Sequence, residues 1–319
     1  MSKSIAVIGA GVSGISAAKA LINEGFKVSL FDQGKTIGGR LGIRTLKEEP
    51  YQGRNIDVGA AYFTISDPLF RDQVDQWIKN NLVKPWVDTF KVLDGQSWTI
   101  KSGPMRYIAK NGLKNILFYE LDQIKSRISH FEDYKVKNIE LKNSIKIDNK
   151  EFEGLVLALP APQAQRLFTD SQIKSELQKI IFNPVLVSWF STSEELDFDG
   201  IFVNSNENIS LFINEGSKQN DRAKICTIYS THDFAKLEID DLEAAKEKLI
   251  REAISILNLK SSPIETGIMR WTLAHPVSSI RPKLPKNVAI VGDAFSDNPR
   301  IEAAWVDGSK VLDQLRAIL

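Results

Sequence analysis

The feature that most constrains the fold of this chain is a glycine-rich turn close to its first residue. The apolar run Ile5-Ala-Val-Ile8 leads directly into Gly9-Ala-Gly11-Val-Ser-Gly14. Apolar residues at helical spacing follow over 12–24, and an alternating pattern over 27–32 indicates a second strand. Two strands joined by a helix in this way lie parallel in one sheet. The sequence therefore opens with a βαβ unit of the Rossmann type.

The glycines and an acidic residue give this unit the pattern of a dinucleotide site. Glycine allows a tight turn, close approach of a pyrophosphate to the backbone, and close packing of helix on strand. The helix N-terminus adds N–H donors and the positive end of its dipole. Asp32 ends the second strand about 20 residues after the first glycine, where a carboxylate can bind ribose hydroxyls. The alternative is a glycine-rich loop that binds nothing. Cofactor contacts are expected at Gly9, Gly11, Val12, Ser13, Gly14, Asp32 and Gln33.

Composition narrows the class of protein. At roughly 100–200 residues per domain, 319 residues indicate two domains. Lys and Arg total 41 against 40 for Asp and Glu, so charge gives no reason to expect nucleic acid or an anionic membrane as a partner. The lone Cys226 excludes an intrachain disulfide and a multi-cysteine metal site. The histidines, His130, His232 and His275, lie far apart and lack metal-site spacing, so we expect no metal.

Targeting signals are not evident in the sequence. The first apolar run has four residues before Gly9, which is too short for the core of a signal peptide. No stretch approaches the roughly 18 apolar residues of a membrane helix. We therefore expect a cytoplasmic protein.

The rest of the chain alternates between strand and helix patterns. Helices are predicted at 67–84, 171–181 and 241–258, a short helix and loop at 105–117, and a helix from about Arg300. Strands are predicted as a hairpin over 92–100, as three strands within 135–159, and at 185–190, 209–213, 224–231 and 288–291. The first and last segments are typical of a layered α/β domain, whereas the middle is typical of an antiparallel sheet with helices.

Four further segments extend the pattern of the first one. Gly38-Gly39-Arg40 follows Asp32, and Asp57-Val-Gly59-Ala60-Ala61-Tyr62-Phe63-Thr64 comes next. The buried run Gly154-Leu-Val-Leu-Ala-Leu is stopped by Pro-Ala-Pro-Gln-Ala, and Val291-Gly-Asp293-Ala precedes Pro299-Arg-Ile-Glu-Ala-Ala-Trp-Val-Asp-Gly308. Together with the glycine-rich turn, these segments resemble the flavoprotein amine-oxidase superfamily, and in particular its renalase-like members.

That resemblance implies a fold and a division into domains. The fold class is α/β, a three-layer Rossmann-like FAD-binding domain with a mainly parallel sheet and an inserted α+β antiparallel-sheet substrate domain. The FAD-binding domain would comprise residues 1–75, 101–162 and 280–319. The substrate-binding domain would comprise residues 76–100 and 163–279.

The resemblance also implies further cofactor contacts. Gly39 and Arg40 would lie at the FAD pyrophosphate, and the segment at 59–62 would pass the flavin ring. The turn at 292–293 would hold the ribityl region, and the helix after it would point its N-terminus at the flavin N1/C2 edge, where reduced flavin gathers negative charge. These contacts involve Gly39, Arg40, Gly59, Ala60, Ala61, Tyr62, Ile124, Gly292, Asp293, Glu302 and Ala303. Because Cys226 lies in an apolar strand pattern, the FAD is expected to be non-covalent.

Three residues are candidates for the catalytic cavity. Arg270-Trp271, followed by His275-Pro276, resembles the strand that brings an aromatic residue to the substrate in this superfamily. Tyr62, Trp271 and His275 are therefore the candidates, with core aromatic residues and a structural histidine as the alternatives. Two departures are visible: relatives often carry Gln or Ser where Ala61 stands, and residues 182–191 contain no lysine, which argues against amine oxidation.

The resemblance implies an FAD-dependent oxidase. Hydride would pass from a small planar reduced substrate, an isomeric dihydro-NAD(P), to flavin N5, with oxygen as the acceptor that reoxidises the flavin. Loss of hydride from such a ring yields an aromatic pyridinium directly, so no general base is required. The alternatives are an amine or polyene/tetrapyrrole oxidase-desaturase on the same fold, and a non-catalytic flavin-binding protein. The expected partners are small molecules, with the chain a monomer or homodimer.

Overall fold

The computed structural model describes residues 2–142, 144–277 and 279–315. Its first eleven strands are β1 (Ser4–Ile8), β2 (Lys27–Phe31), β3 (Ile43–Thr45), β4 (Asn55–Asp57), β5 (Val83–Pro85), β6 (Thr89–Asp94), β7 (Ser97–Ser102), β8 (Tyr107–Ala109), β9 (Ile128–Phe131), β10 (Ile139–Leu141) and β11 (Ile145–Ile147). The others are β12 (Lys150–Phe152), β13 (Gly154–Leu157), β14 (Phe182–Ser191), β15 (Gly200–Asn204), β16 (Ile209–Asn214), β17 (Ile225–Ser230), β18 (Thr266–Pro276) and β19 (Val288–Ile290).

The helices of the described residues are α1 (Val12–Asn23), α2 (Pro68–Lys79), α3 (Lys114–Ile124), α4 (Ala161–Gln165), α5 (Ser171–Gln178), α6 (Glu215–Gln219), α7 (His232–Glu238), α8 (Leu242–Ile256) and α9 (Ile301–Ser309). Short 3-10 turns occupy Lys125–Arg127, Asp293–Phe295 and Val311–Asp313. None of these helices combines the length and the apolar character that crossing a bilayer requires.

A five-stranded parallel sheet contains the predicted βαβ unit. Its strand order is β19-β13-β1-β2-β9, and every neighbouring pair runs parallel. In the central pair Ile5 lies opposite Val28 and Val7 opposite Leu30, and these four side chains are buried. The strands predicted around residues 5–8, at 27–32 and at 288–291 are confirmed as β1, β2 and β19, and the apolar residues of β1 and β19 are buried on both faces as a parallel sheet requires.

Each face of this sheet is covered by a different layer. On one face α1 packs against α9, and a Cβ atom at Gly308 would overlap the carbonyl oxygen of Ser13, so the two helices meet at backbone distance. On the other face lie the antiparallel strands β10–β12 together with α4 and α5. The predicted three-layer Rossmann-like class is thus confirmed, with a small β-meander in place of some of the helices.

A seven-stranded sheet forms the second layer system. Its order is β18-β14-β17-β16-β15-β6-β7, and all neighbours are antiparallel except β15 and β6. The predicted hairpin is confirmed, with Asp94 opposite Ser97. Helix α8 covers one face through Ala245, Leu249 and Ala253, which repeat at helical spacing and are fully buried.

The segment 105–117 differs from its prediction as a short helix and loop. Strand β8 pairs with β5, and Tyr107 forms a further bridge with Phe63, so this part is extended. Asn111 and Gly112 then have positive φ angles, which a helix does not accommodate, and α3 begins only at Lys114. The segment 135–159 holds four strands, β10 to β13, and not three.

The predicted domain limits stay a prediction, and the packing bears on one of them. Strands β6 and β7 belong to the seven-stranded sheet, which agrees with the prediction that residues 76–100 are part of the substrate-binding domain. In contrast, Phe168, Ile173 and Leu177 pack into the core of the parallel sheet. We therefore propose that the boundary predicted at residue 162, where the chain leaves the FAD-binding domain, lies nearer residue 181.

A buried group of three charges joins the hairpin β3–β4 to the seven-stranded sheet. Lys218 Nζ on α6 lies 2.6 Å from Asp57 Oδ2 and 3.0 Å from Glu215 Oε2, and all three side chains are buried. Asp57 also accepts from the backbone N–H of Leu113, and Glu215 accepts from Thr227 Oγ1. Burial disfavours the charge of Lys218, but the two carboxylates outweigh burial and raise its pKa. Burial raises the pKa of Glu215.

Replacing Lys218 by methionine should destabilise the protein. Lys218→Met leaves two buried carboxylates without their cation, so we expect a loss of about 3–5 kcal/mol in the free energy of unfolding, measured by urea titration. The control is Lys236→Met, which removes an exposed lysine paired with Asp233 on α7 and should cost less than about 0.5 kcal/mol. Equal losses for the two variants would contradict the role assigned to the buried group.

Candidate functional site

A cavity of about 1150 Å³ lies between the two large sheets. The residues that follow β1, β2, β13 and β19 line one side of it, so it opens at the carboxyl ends of the parallel strands. Strands β14, β16, β17 and β18 line the other side. Open α/β sheets bind their ligands at this edge. Because ligand pockets commonly measure about 300–1,000 Å³, the volume accommodates a dinucleotide and a second small molecule.

The glycine-rich turn forms one wall of the cavity. Gly9 has a φ of +105°, and a Cβ there would overlap the carbonyl oxygen of Ala158, so only glycine fits. A Cβ at Gly14 would overlap the Gly9 carbonyl oxygen. Gly11 differs, because the nearest atom to its Cβ position is the Cα of Gly39 at 3.8 Å. Gly11 and Gly39 thus approach each other at backbone distance, and both line the cavity, which leaves their backbone accessible to phosphate oxygens.

Asp32 holds the turn and keeps binding capacity for a ligand. Its Oδ2 accepts from the Ala10 N–H at 2.7 Å, and its Oδ1 accepts from the Gly34 N–H at 2.7 Å. A carboxylate offers about four acceptor sites, so half of them stay open for ribose hydroxyls. Asp32 and Gln33 both line the cavity, as do Val12 and Ser13.

Arg40 connects three distant parts of the chain at the cavity wall. Its guanidinium binds both carboxylate oxygens of Asp293, with Nη1 at 2.9 Å from Oδ2, and donates to the Ala274 carbonyl oxygen at 2.7 Å. Both charged residues line the cavity. A guanidinium has five N–H donors, so this pairing leaves donors for a phosphate. The phosphate role of Arg40 stays a prediction, and its pairing with Asp293 is a contact that the sequence did not reveal.

The segment at 59–62 lies beside this arginine. The N–H of Ala60 donates to the Arg40 carbonyl oxygen at 3.1 Å, and a Cβ at Gly59 would overlap that same oxygen. Glycine is therefore required at 59 by backbone packing, whatever the ligand. Gly59, Ala60, Ala61 and Tyr62 all line the cavity.

Aromatic side chains line the cavity on the side of the seven-stranded sheet. Trp271 Nε1 donates to the Val58 carbonyl oxygen at 2.6 Å, which holds the indole in place. Tyr62 contacts Phe90 edge to face, with ring centroids 5.6 Å apart. Tyr229 is a third lining aromatic that sequence analysis missed. Its hydroxyl is buried without a hydrogen-bond partner among the described residues, and burial raises its pKa, so the phenol is neutral.

Two histidines meet at the cavity although they are far apart in the sequence. His275 on β18 and His232 at the start of α7 lie edge to face, with Nδ1 of His275 3.3 Å from Nε2 of His232. His232 Nδ1 lies 3.0 Å from the Pro184 carbonyl oxygen. Both β18 and α7 pack against β14, which explains the meeting. Desolvation in the cavity, together with the neighbouring His232 and Arg40, lowers the pKa of His275 to about 4.

Most predicted site residues line this cavity, including the catalytic candidates Tyr62, Trp271 and His275 and the turn at 292–293. Ile124, Glu302 and Ala303 are not among the lining residues, so their cofactor contacts stay predictions without support from the cavity. Ile124 lies at the end of α3, in the core beneath the parallel sheet. Gly14 packs behind the turn and does not line the cavity either.

The helical period of α9 explains why Glu302 and Ala303 do not line the cavity. Arg300, Ile301 and Ala304 face the cavity, so residues one and two positions after Ile301 point elsewhere. The Glu302 carboxylate accepts from the backbone N–H of Asp67 at 2.7 Å and from the Ser66 hydroxyl at 2.9 Å. Glu302 therefore anchors the start of α2, which no local sequence signal indicated.

Comparison with known sequences identifies the first part of the chain. Residues 7–77 match the family of NAD(P)-binding Rossmann-like domains. A 4-hydroxybenzoate brominase (decarboxylating) of Marinomonas mediterranea is 27% identical over 158 residues, 44% of this chain and 28% of the brominase. An L-amino-acid oxidase of Siganus canaliculatus is 28% identical over 144 residues, 40% of this chain and 26% of the oxidase. A 4,4'-diapophytoene desaturase of Staphylococcus aureus is 36% identical over 76 residues, 24% of this chain and 14% of the desaturase. These matches thus span less than a third of each relative.

Solved structures match the whole chain. A protein assigned as protoporphyrinogen oxidase from Exiguobacterium sp. 255-15 superimposes with a TM-score of 0.78 at 11% identity, over 100% of both chains. A putrescine oxidase variant also has a TM-score of 0.78 at 11% identity, over 99% of both chains. The chain therefore shares the fold of these two structures, a Rossmann-like α/β domain with a parallel sheet combined with an antiparallel-sheet domain.

Proposed function

We propose that this protein is an FAD-dependent oxidase that takes hydride from a small planar reduced substrate, a renalase-like isomeric dihydro-NAD(P), with oxygen as the final acceptor. The observation that carries the proposal is the cavity wall opposite the glycine-rich turn. That wall combines the aromatic rings of Tyr62, Tyr229 and Trp271 with no carboxylate among the described lining residues of the seven-stranded sheet. The matches to an L-amino-acid oxidase and a desaturase support flavin-dependent redox chemistry.

FAD fits the residues of the other wall. The backbone at Gly11 and Gly39 suits a pyrophosphate, the open acceptor sites of Asp32 suit ribose hydroxyls, and the spare donors of Arg40 suit a phosphate. Cys226 is buried in the core of the seven-stranded sheet and does not line the cavity, which supports non-covalent binding. When bound, FAD supplies a two-electron acceptor at N5, and the protein supplies binding and orientation.

The aromatic wall suits a planar substrate. Trp271 is held by the Val58 carbonyl oxygen, and its indole covers Gly42, where a Cβ would lie only 2.6 Å from the ring. Tyr62 is held by its edge-to-face contact with Phe90. Aromatic pairs contribute about 0.5–1.5 kcal/mol beyond the burial of their area. Fixed rings thus favour a flat heterocycle over a flexible chain.

The charges of the cavity favour an anionic substrate. Its two lining carboxylates are Asp32, which accepts backbone N–H groups, and Asp293, which pairs with Arg40. Five basic side chains also line it: Arg40, Lys135, Arg166, Arg270 and Arg300. Among these lining residues a cationic amine would meet Asp32, whose open acceptor sites we assign to ribose hydroxyls, and the paired Asp293, whereas the phosphates of a dinucleotide would find Lys135 and Arg166.

The proposed reaction requires no side chain that accepts a proton. Loss of hydride from an isomeric dihydronicotinamide restores an aromatic pyridinium without loss of a proton. The one lining histidine with a shifted pKa, His275, is a weak base with a pKa of about 4. This agrees with a reaction in which side chains orient the donor and exclude water.

The substrate proposal is tested by anaerobic reduction of the bound flavin. We expect 2- or 6-dihydro-NAD(P) to bleach the flavin absorbance rapidly, and putrescine and L-amino acids to leave it unchanged. Trp271→Phe should slow the bleaching at least about tenfold because the indole contact to Val58 is lost. The matched control is Trp98→Phe, on the exposed strand β7, which should not alter the rate.

The other outcomes distinguish the alternatives. Bleaching by amines or by polyenes and tetrapyrroles, but not by dihydronucleotides, would replace this proposal by an amine oxidase or an oxidase-desaturase. The second of these is favoured by the desaturase match. A flavin that no donor bleaches would indicate a non-catalytic flavin-binding protein.

The cofactor proposal is tested by two glycine variants. Gly11→Ala meets no atom closer than 3.8 Å and has an ordinary φ of −83°, so the apoprotein should keep its free energy of unfolding. The new methyl group covers the backbone that we assign to the pyrophosphate, so the Kd for FAD, measured by fluorescence quenching, should rise at least about tenfold. Gly14→Ala is the contrasting variant, because its Cβ overlaps the Gly9 carbonyl oxygen and should destabilise the apoprotein itself. Unchanged FAD affinity in Gly11→Ala would contradict the assignment.

A further inference from the structure

The two cavity histidines form a chain of hydrogen bonds with a defined direction. It begins at the Pro184 carbonyl oxygen, which only accepts, so the proton of this bond must sit on His232 Nδ1. In neutral His232 the other nitrogen, Nε2, then carries a lone pair. His275 Nδ1 lies 3.3 Å from His232 Nε2 and must donate to its lone pair. The Pro184 carbonyl group therefore determines the tautomer of both rings.

The last nitrogen of the chain is left free for a ligand. With the proton of His275 on Nδ1, its Nε2 carries a lone pair, and the side chain is exposed to the cavity, where a ligand can reach it. His275 and His232 both line the cavity, and Trp271 precedes His275 on the same lining strand. An acceptor with a determined tautomer next to an aromatic wall recognises an N–H or O–H group at the edge of a planar ring.

We propose that His275 Nε2 accepts a hydrogen bond from the substrate, and that His232 and Pro184 position it by fixing its tautomer. The group recognised is an N–H donor beside the reacting ring, such as the primary carboxamide of a dihydronicotinamide. This rests on the proposed function for the identity of the ring. His275 is the specificity residue, and His232 is a positioning residue that acts through it.

The charges around His275 keep this acceptor available at ordinary pH. His232 faces His275 from α7, Arg40 from the segment between β2 and β3, and Asp293 from the turn after β19. Desolvation and the positive charge of Arg40 oppose the effect of Asp293 and hold the pKa of His275 at about 4, so the ring stays neutral at pH 6. Substrate affinity should therefore be constant between about pH 6 and 9 and should fall as the pH approaches 4, where protonation removes the lone pair.

The tautomer is measured directly by ¹⁵N NMR of the histidine side chains in the flavin-loaded protein. The expected result at pH 7 is a neutral His275 protonated on Nδ1, with His275→Gln used to assign its signals. In His232→Phe, which keeps a ring but removes the acceptor, the signals should move toward the Nε2-protonated form. A wild-type His275 that is protonated on Nε2 would overturn the inference.

The recognition is measured by anaerobic reduction with two donors. For 6-dihydro-NAD, His232→Phe should raise the apparent Kd about tenfold and leave the limiting rate of reduction within twofold. His232→Gln should restore the Kd, because its amide can donate to Pro184 and accept from His275. The same donor with an acetyl group in place of the carboxamide has no N–H, so its Kd should be insensitive to both variants.

The outcomes separate this inference from the proposed function. Equal losses for the carboxamide and acetyl donors, or no loss for either, would overturn the recognition by His275. A flavin that no dihydronicotinamide reduces would instead contradict the proposed function and remove the substrate assigned to this acceptor. The NMR result judges the tautomer chain in either case.

Discussion

Close backbone packing around the first turns of α1 is the constraint on which the rest of the structure depends. At Gly9, Gly14 and Gly308 an added Cβ would overlap a carbonyl oxygen, of Ala158, Gly9 and Ser13 respectively. These contacts bring β13 against the glycine-rich turn and α9 against α1. Segments that are more than a hundred residues apart therefore meet at one edge of the parallel sheet, and the cavity lies at that edge.

Paired charges then connect this edge to the seven-stranded sheet. Arg40 binds Asp293 and the Ala274 carbonyl oxygen, and so joins the turn after β2 to β18 and β19. Lys218 binds Asp57 and Glu215 at full burial. A buried charge is costly unless its partner is present, so each pair tolerates only the arrangement that brings its members together. The aromatic wall and the two histidines are held opposite the glycine-rich turn as a result.

Elements that depend on interactions between residues close in sequence were predicted, whereas features that depend on distant contacts were not. The βαβ unit, the hairpin at Asp94 and helix α8 are confirmed because apolar periodicity and turn residues act within a few positions. Glu302 and Ala303 do not line the cavity, because the resemblance located their segment but not the rotation of the helix about its axis. The beginning of α3 was misplaced because positive φ angles at Asn111 and Gly112 delay it.

The sequence by itself determined the layered α/β class, the glycine-rich turn and part of the cavity lining, because these depend on glycine, on periodicity and on order along the chain. Only the tertiary structure decided that Arg40 pairs with Asp293, that Lys218 is buried between two carboxylates, and that His232 meets His275. The reason is physical. A side chain that can be satisfied by many partners receives its partner from the packing of distant strands, and no local pattern records which strand that is.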